Sequence, residues 1–237
     1  MIYRYFLMLI LISTGIVSAN SQEMGEFILK STPTEVLGAD AMHHQANIGG
    51  DEIISWEIYV PEDYDPSNPA GVMVYAGAPN DVRPPIAWLS VMKDKNLIWV
   101  AARKSANGSS IHQKKLLAMM SVPLIEQRYN INKERIYITG EGRTASRTAL
   151  EYPNMFDGAI LLGANLWEDE ADSKVKNVMS NRYVFVSRES SAVPKGARYA
   201  YNKFKNAGVE NIDFIHIRGK QRYSRPKFAQ SIDFLDN

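Results

Sequence analysis

From residue 52 onward the chain alternates two apolar patterns. The first is a set of short, nearly continuous apolar runs at residues 53–60, 71–75, 97–102, 136–139, 158–162, 183–186 and 212–217. Runs this short, rich in Ile, Val, Leu and aromatic residues and bounded by turn residues, predict strands, most of them buried on both faces. The first ends at Pro61 and the turn-rich stretch Glu62-Asp63-Tyr64-Asp65-Pro66-Ser67-Asn68-Pro69. The second pattern has helical spacing and predicts helices over 85–93, 110–129, 144–151, 194–207 and 226–235. In the longest of these, Leu116, Leu117, Met120, Leu124 and Ile125 recur at helical intervals, and Pro123 is placed to kink it. Pro194 and Pro226 stand at helix starts, where a missing N–H costs nothing. Strand and helix in alternation predict an α/β fold with a mostly parallel central sheet and helices on both faces. No linker interrupts the series, so residues 51–237 are expected to form one domain.

Two segments precede it. Residues 20–50 are polar and weakly patterned and predict an arm leading into the fold. Residues 1–19 read as an export signal: Arg4 is a short positive region, 6–17 are apolar apart from Ser13, Thr14 and Gly15, and Val17-Ser18-Ala19 offers small residues to a peptidase. Cleavage is expected after Ala19. The alternative is a retained membrane anchor, for which the apolar run is short. The chain has no Cys, which excludes disulfides and a lipid-bearing cysteine. Export without disulfides fits a bacterial periplasm or exterior.

Composition adds exclusions. The 45% apolar and 22% charged residues are those of a globular protein. With Arg4 lost in the leader, basic and acidic residues balance, which removes the electrostatic footprint of a nucleic-acid or anionic-lipid binder. Asn107-Gly108-Ser109 is a glycosylation sequon, a tripeptide common by chance.

The most informative stretch is 134–156. It reads as a strand, a sharp turn and a helix, with Gly140-Glu141-Gly142-Arg143-Thr144 at the turn. A G-x-S-x-G turn between strand and helix exposes a nucleophilic Ser above a sheet. Here the central position is Gly142, which has no side chain.

Five segments, in order, resemble the α/β-hydrolase superfamily and, within it, the secreted esterases grouped with polyhydroxybutyrate depolymerases and feruloyl esterases. They are Tyr59-Val60-Pro61-Glu62-Asp63-Tyr64; Val72-Met73-Val74-Tyr75-Ala76-Gly77-Ala78-Pro79; Tyr129-Asn130-Ile131-Asn132 with Arg135-Ile136-Tyr137-Ile138-Thr139-Gly140; Ala149-Leu150-Glu151-Tyr152-Pro153 with Phe156-Asp157-Gly158-Ala159-Ile160; and Phe204-Lys205-Asn206-Ala207-Gly208-Val209 with the run 212–217. The likeness covers residues 53–235. It implies an α/β-hydrolase fold and a Ser–His–carboxylate triad with backbone N–H groups aimed at an oxyanion.

The triad positions do not match. Gly142 stands at the elbow if the turn is read without a gap; read instead as a deletion between Gly140 and Tyr152-Pro153, the turn still holds no Ser. The loop expected to carry the His, 218–225, has none, and Gln221 is the residue nearest the vacated position. After the strand 183–186 the only carboxylate is Glu189.

The remaining candidates are weighed against plainer roles. Gly77 and Ala78 fall where the family places oxyanion-hole backbone, and Arg143 at a helix start suits an anion. Glu141 is a general base at the crevice mouth or a solvated turn carboxylate. Trp167, after a strand's carboxyl end, is the best placed tryptophan for ligand contact; Trp88 and Trp99 read as packing. Thr144 and Ser146 read as cap or helix-packing hydroxyls. His43 and His44 lack a third clustered metal ligand, His112 reads as surface, and His216 as a core or sheet-face residue. The site expected is therefore Gly77, Ala78, Glu141, Gly142, Arg143 and Trp167, with no catalytic residue, metal or cofactor. The function expected is binding of a small ligand, a glycan or an ester fragment, or of a partner. One alternative is an active ester hydrolase using Glu141, Thr144, Ser146, Glu189 or His216. The other is a purely structural domain whose crevice has closed.

Overall fold

A computed structural model describes residues 22–77, 82–103, 109–163, 178–188, 194–218 and 223–237. Each predicted apolar run forms a strand. These are β2 (Ile54–Val60), β3 (Ala70–Tyr75), β4 (Leu97–Ala102), β5 (Ile131–Glu141), β6 (Gly158–Leu162), β7 (Arg182–Arg188) and β8 (Ile212–Ile217). An additional strand, β1 (Gly25–Ser31), lies in the stretch expected to be an arm. It pairs antiparallel with β2 along its whole length, from Gly25 opposite Val60 to Ser31 opposite Ile54. Phe27 and Leu29 alternate inward onto the core, which fixes the strand to the sheet. A short helix, α1 (Pro33–Leu37), follows. Thr32 caps it in a reciprocal box with Glu35, and Pro33 opens it. Burial of Pro33 and Val36 makes this segment part of the folded body.

The strand order is β1-β2-β4-β3-β5-β6-β7-β8. β2 runs antiparallel to β1 and β4, and the neighbours from β4 through β8 are parallel. All six residues of β4 are buried, as two covered faces require. The helices are α2 (Ile86–Asp94), α3 (Ile111–Glu126), α4 (Arg143–Glu151), α5 (Pro194–Asn206) and α6 (Arg225–Asp236). α3, α4 and α5 cover one face; α2 and α6 pack together over the other.

Two apolar clusters result. One gathers Trp56, Val72, Ile138, Phe156 and Phe204 beneath α3, α4 and α5. The other gathers Met73, Trp88, Trp99, Tyr137 and Phe228 beneath α2 and α6. In the second, Trp88 stacks on Phe228 with ring centroids 4.2 Å apart. Trp88 and Trp99 are thus core residues, and their indole N–H groups donate to the carbonyls of Tyr223 and Val82. A buried Lys115–Glu151 ion pair joins α3 to α4. Among the described residues no helix is long and apolar enough to cross a membrane.

Strand direction sets the location of the site. From β3 the chain crosses to β4 on one side, and β5 then returns to the other side of β3. The order reverses between β3 and β5, and an open α/β sheet forms its crevice at the carboxyl ends flanking such a point.

Candidate functional site

The carboxyl ends of β3 and β5 lie in contact. The two strands are in parallel register up to Tyr75 opposite Thr139. The Ala76 N–H then donates to the Thr139 carbonyl at 2.8 Å. Gly140 permits this approach: a Cβ there would lie 2.7 Å from the Ala76 carbonyl carbon, closer still to its oxygen, and 3.2 Å from the Ala145 methyl. Only a residue without a side chain allows β3, β5 and the first turn of α4 to converge at this point.

Gly142 needs to be glycine for a different reason. It caps α4 with φ 71° and ψ −139°, a backbone conformation that L side chains rarely adopt. Its N–H donates to the Leu162 carbonyl at 3.2 Å, tying the turn to β6. A Cβ at Gly142 would meet no heavy atom within 4 Å. The apex of the turn therefore faces open space. It has the sharp strand-to-helix geometry in which a nucleophile elbow presents its side chain, and here nothing is presented.

The flanking residues are placed as follows. Glu141 is the last residue of β5 and is exposed. Arg143 is exposed at the first position of α4. Gly77 lies just past β3 and is buried, while Glu141, Gly142 and Arg143 follow one another at the β5–α4 turn. Ala78, Trp167, Glu189 and Gln221 lie outside the described residues.

Both hydroxyl-bearing residues at the start of α4 are buried. Ser146 is 1% exposed and donates to the Gly142 carbonyl at 3.1 Å, a back-bond to the preceding turn. Thr144 is buried, and its carbonyl accepts from the Thr148 hydroxyl at 2.8 Å. All four histidines lie on elements other than β5 and α4. His43 and His44 close a 3₁₀ turn (Gly38–His44), His112 is exposed in the first turn of α3, and His216 is exposed on β8. Among the described residues no three His, Cys, Asp or Glu side chains are grouped as metal ligands.

Tyr75, the last residue of β3, belongs to the site although the sequence reading placed it only within a strand. Its ring stacks on Trp99 with centroids 5.3 Å apart. Its phenol end lies against Gly77, where a Cβ would come within 2.5 Å of the ring edge. Burial, and then the negative charge of Glu141, push the Tyr75 phenol up to about 12. It stays protonated near neutral pH as both donor and acceptor. The phenol of Tyr75, packed against Gly77, thus lies near enough to feel the charge of Glu141, the residue that precedes Gly142. The only signal for Tyr75 in the sequence is its position at the end of a buried run, two residues before a glycine.

Three solved structures place this architecture among known ones. A thermostable esterase superposes with a TM-score of 0.59 at 16% identity, over 88% of this chain and 60% of its own. A ferulic acid esterase gives a TM-score of 0.59 at 13% identity, over 90% of this chain and 99% of its own. The ferric enterobactin esterase of Salmonella typhimurium gives 0.61 at 12% identity, over 90% of this chain and 59% of its own. The chain therefore spans about three fifths of the first and third of these proteins and nearly all of the second. No protein-family model matches it, and no curated protein sequence does. At these identities the likeness establishes the fold and not the reaction: the chain has the α/β-hydrolase fold.

Proposed function

We propose that this chain is a non-catalytic member of the esterase-like α/β-hydrolases, exported from the cell, that binds a ligand or partner at the crevice over Gly142. The observation that carries this reading is the elbow itself. Its apex keeps a φ of 71° and faces open space, yet the residue there has no nucleophilic atom. The neighbouring hydroxyls support the same reading. An attacking hydroxyl needs access to the substrate and a base beside it. Ser146 is buried and donates to the Gly142 carbonyl, Thr144 is buried, and the loop 218–225, where the resemblance places the base, has no histidine. Tyr75 and Glu141 suit a small ligand bearing hydroxyl or carbonyl groups, of the glycan or ester-fragment class.

An active carboxylic-ester hydrolase is the second reading, favoured by the esterase identity of the structural neighbours. A panel of short activated esters separates the two. The proposal expects turnover no faster than a buffer control from the purified protein and from its Thr144→Ala and Ser146→Ala variants. Turnover by the parent that either substitution abolishes, with the fold intact by circular dichroism, would establish the second reading and end the first.

A further inference from the structure

The sheet ends on one side at β1, which among the described residues pairs only with β2. An end strand offers a row of backbone N–H and C=O groups to any extended partner. Its side chains decide which partner fits. Along β1, Glu26, Ile28 and Lys30 are exposed, and Gly25, Phe27 and Leu29 are half-buried. Alternation puts Glu26, Ile28 and Lys30 on one face of the strand and Phe27 and Leu29 on the other.

This pattern is symmetric in charge about Ile28. With a two-fold axis at Ile28, antiparallel pairing of β1 with a second β1 sets Glu26 opposite Lys30 of the other copy and Lys30 opposite its Glu26. Ile28, 48% exposed, meets its own equivalent between them, and on the reverse face Phe27 meets Leu29. Other arrangements do worse. Moving the axis to Glu26 or to Lys30 sets like charges opposite each other, and so does parallel in-register pairing. An axis at Phe27 or Leu29 leaves the charges facing Ile28 or uncharged residues. Like charges directly opposite destabilise a strand pair, and opposite charges and β-branched pairs stabilise it. Four of the seven most exposed large hydrophobic residues among those described, Met24, Ile28, Met42 and Ile53, also lie in this N-terminal portion. Ile53 adjoins Ile54, the partner of Ser31 at the end of β1.

We propose that the β1 edge is a homodimerisation surface, joining two copies of this chain antiparallel about Ile28 into one continuous sheet. The interface is isologous, the commonest closed arrangement of identical subunits. A seven-residue strand edge is small, so the dimer is weak and concentration-dependent. It is independent of the elbow.

The test is a charge-reversal set read by analytical ultracentrifugation of the full chain across the micromolar range. The parent is expected to be in reversible monomer–dimer equilibrium. Glu26→Lys alone, or Lys30→Glu alone, turns both symmetry-related pairs repulsive and is expected to weaken the dimer by about tenfold or more. Glu26→Lys combined with Lys30→Glu restores complementarity and with it the parent affinity. Mixing the two single variants is expected to give a heterodimer at least as tight as the parent. Thermal melts at low concentration check the fold, which the single reversals should leave intact because both side chains are exposed. Hydrogen exchange supplies a second readout, in which β1 amides gain protection as concentration rises. A parent that stays monomeric throughout, a dimer unmoved by single reversals, or a double reversal that fails to restore pairing would each overturn the proposal.

Discussion

Gly140 and Gly142 sit two residues apart at the turn, and substitution by Ala should damage them unequally. At Gly142 the added methyl enters open space, so the cost is backbone strain alone. A non-glycine residue held in such a conformation costs about 1–3 kcal/mol. The lower entropy of the unfolded alanine chain returns about 0.4–1 kcal/mol of this. The net destabilisation expected for Gly142→Ala is thus between about 0 and 2.6 kcal/mol. At Gly140 the methyl would be driven into the Ala76 backbone, 2.7 Å from its carbonyl carbon. β3 and β5 must part to admit it, at an overpacking cost of about 1–3 kcal/mol. That movement strains the 2.8 Å bond from Ala76 to Thr139, worth about 1 kcal/mol. With the same return from the unfolded chain, Gly140→Ala should therefore cost about 1–3.6 kcal/mol, about 1 kcal/mol more than Gly142→Ala. Urea denaturation measures both, with the difference appearing in the midpoint at an unchanged slope. In thermal melts each kcal/mol corresponds to a fall of about 2–4 °C for a chain of this size. A Gly140→Ala variant as stable as Gly142→Ala would refute the close approach of β3 and β5, and a Gly142→Ala variant more stable than the parent would refute the positive φ of the elbow.

Other consequences follow from single groups. Ser146→Ala removes only a back-bond within α4 and should change stability by less than about 1 kcal/mol; a loss several times larger in urea denaturation would contradict the assignment. Glu141→Gln removes a negative charge beside Tyr75, so the Tyr75 phenol should titrate lower than in the parent, although burial, the larger cause, keeps it above an ordinary tyrosine; NMR titration of ring-labelled tyrosine reads this, and an unmoved or rising value would be inconsistent with their proximity. Asp157, which accepts from the Ile136 N–H at 3.0 Å, has its carboxyl raised above the ordinary range, first of all by burial. The unfolded chain therefore ionises at lower pH than the folded one, and this group's contribution to stability falls as pH rises from the ordinary carboxylate value through the raised one. Stability measured against pH in Asp157→Asn should lack that fall; an Asn variant that retains it would assign the effect to another group.

How much of this was legible in the sequence depended on whether burial or geometry decided the element. β3, β4 and β6 are short apolar runs because a parallel sheet covered on both faces requires them, and periodicity finds such strands to within a residue. β1 was missed because an edge strand needs only half of its residues to be apolar. Ile28 on the exposed face also broke the alternation of Phe27 and Leu29 against Glu26 and Lys30. The Thr32–Glu35 capping box with Pro33 was a readable sign that the supposed arm was structured. At the turn, the sequence identified Gly142 as the central residue, but only the backbone angles distinguish its role from that of Gly140. Tyr75 was invisible as a site residue because its relation to Gly77 and Glu141 depends on the side-by-side placement of β3 and β5.

A fluorophosphonate, which phosphonylates an activated hydroxyl with loss of fluoride, probes whether the β5–α4 turn carries a nucleophile. Intact-mass spectrometry of the parent protein after exposure, with an active serine esterase labelled in parallel, reads the result in one step. An unshifted mass is expected for this chain beside full labelling of the control; a stoichiometric adduct mapped to Thr144 or Ser146 would show that the turn carries a working nucleophile.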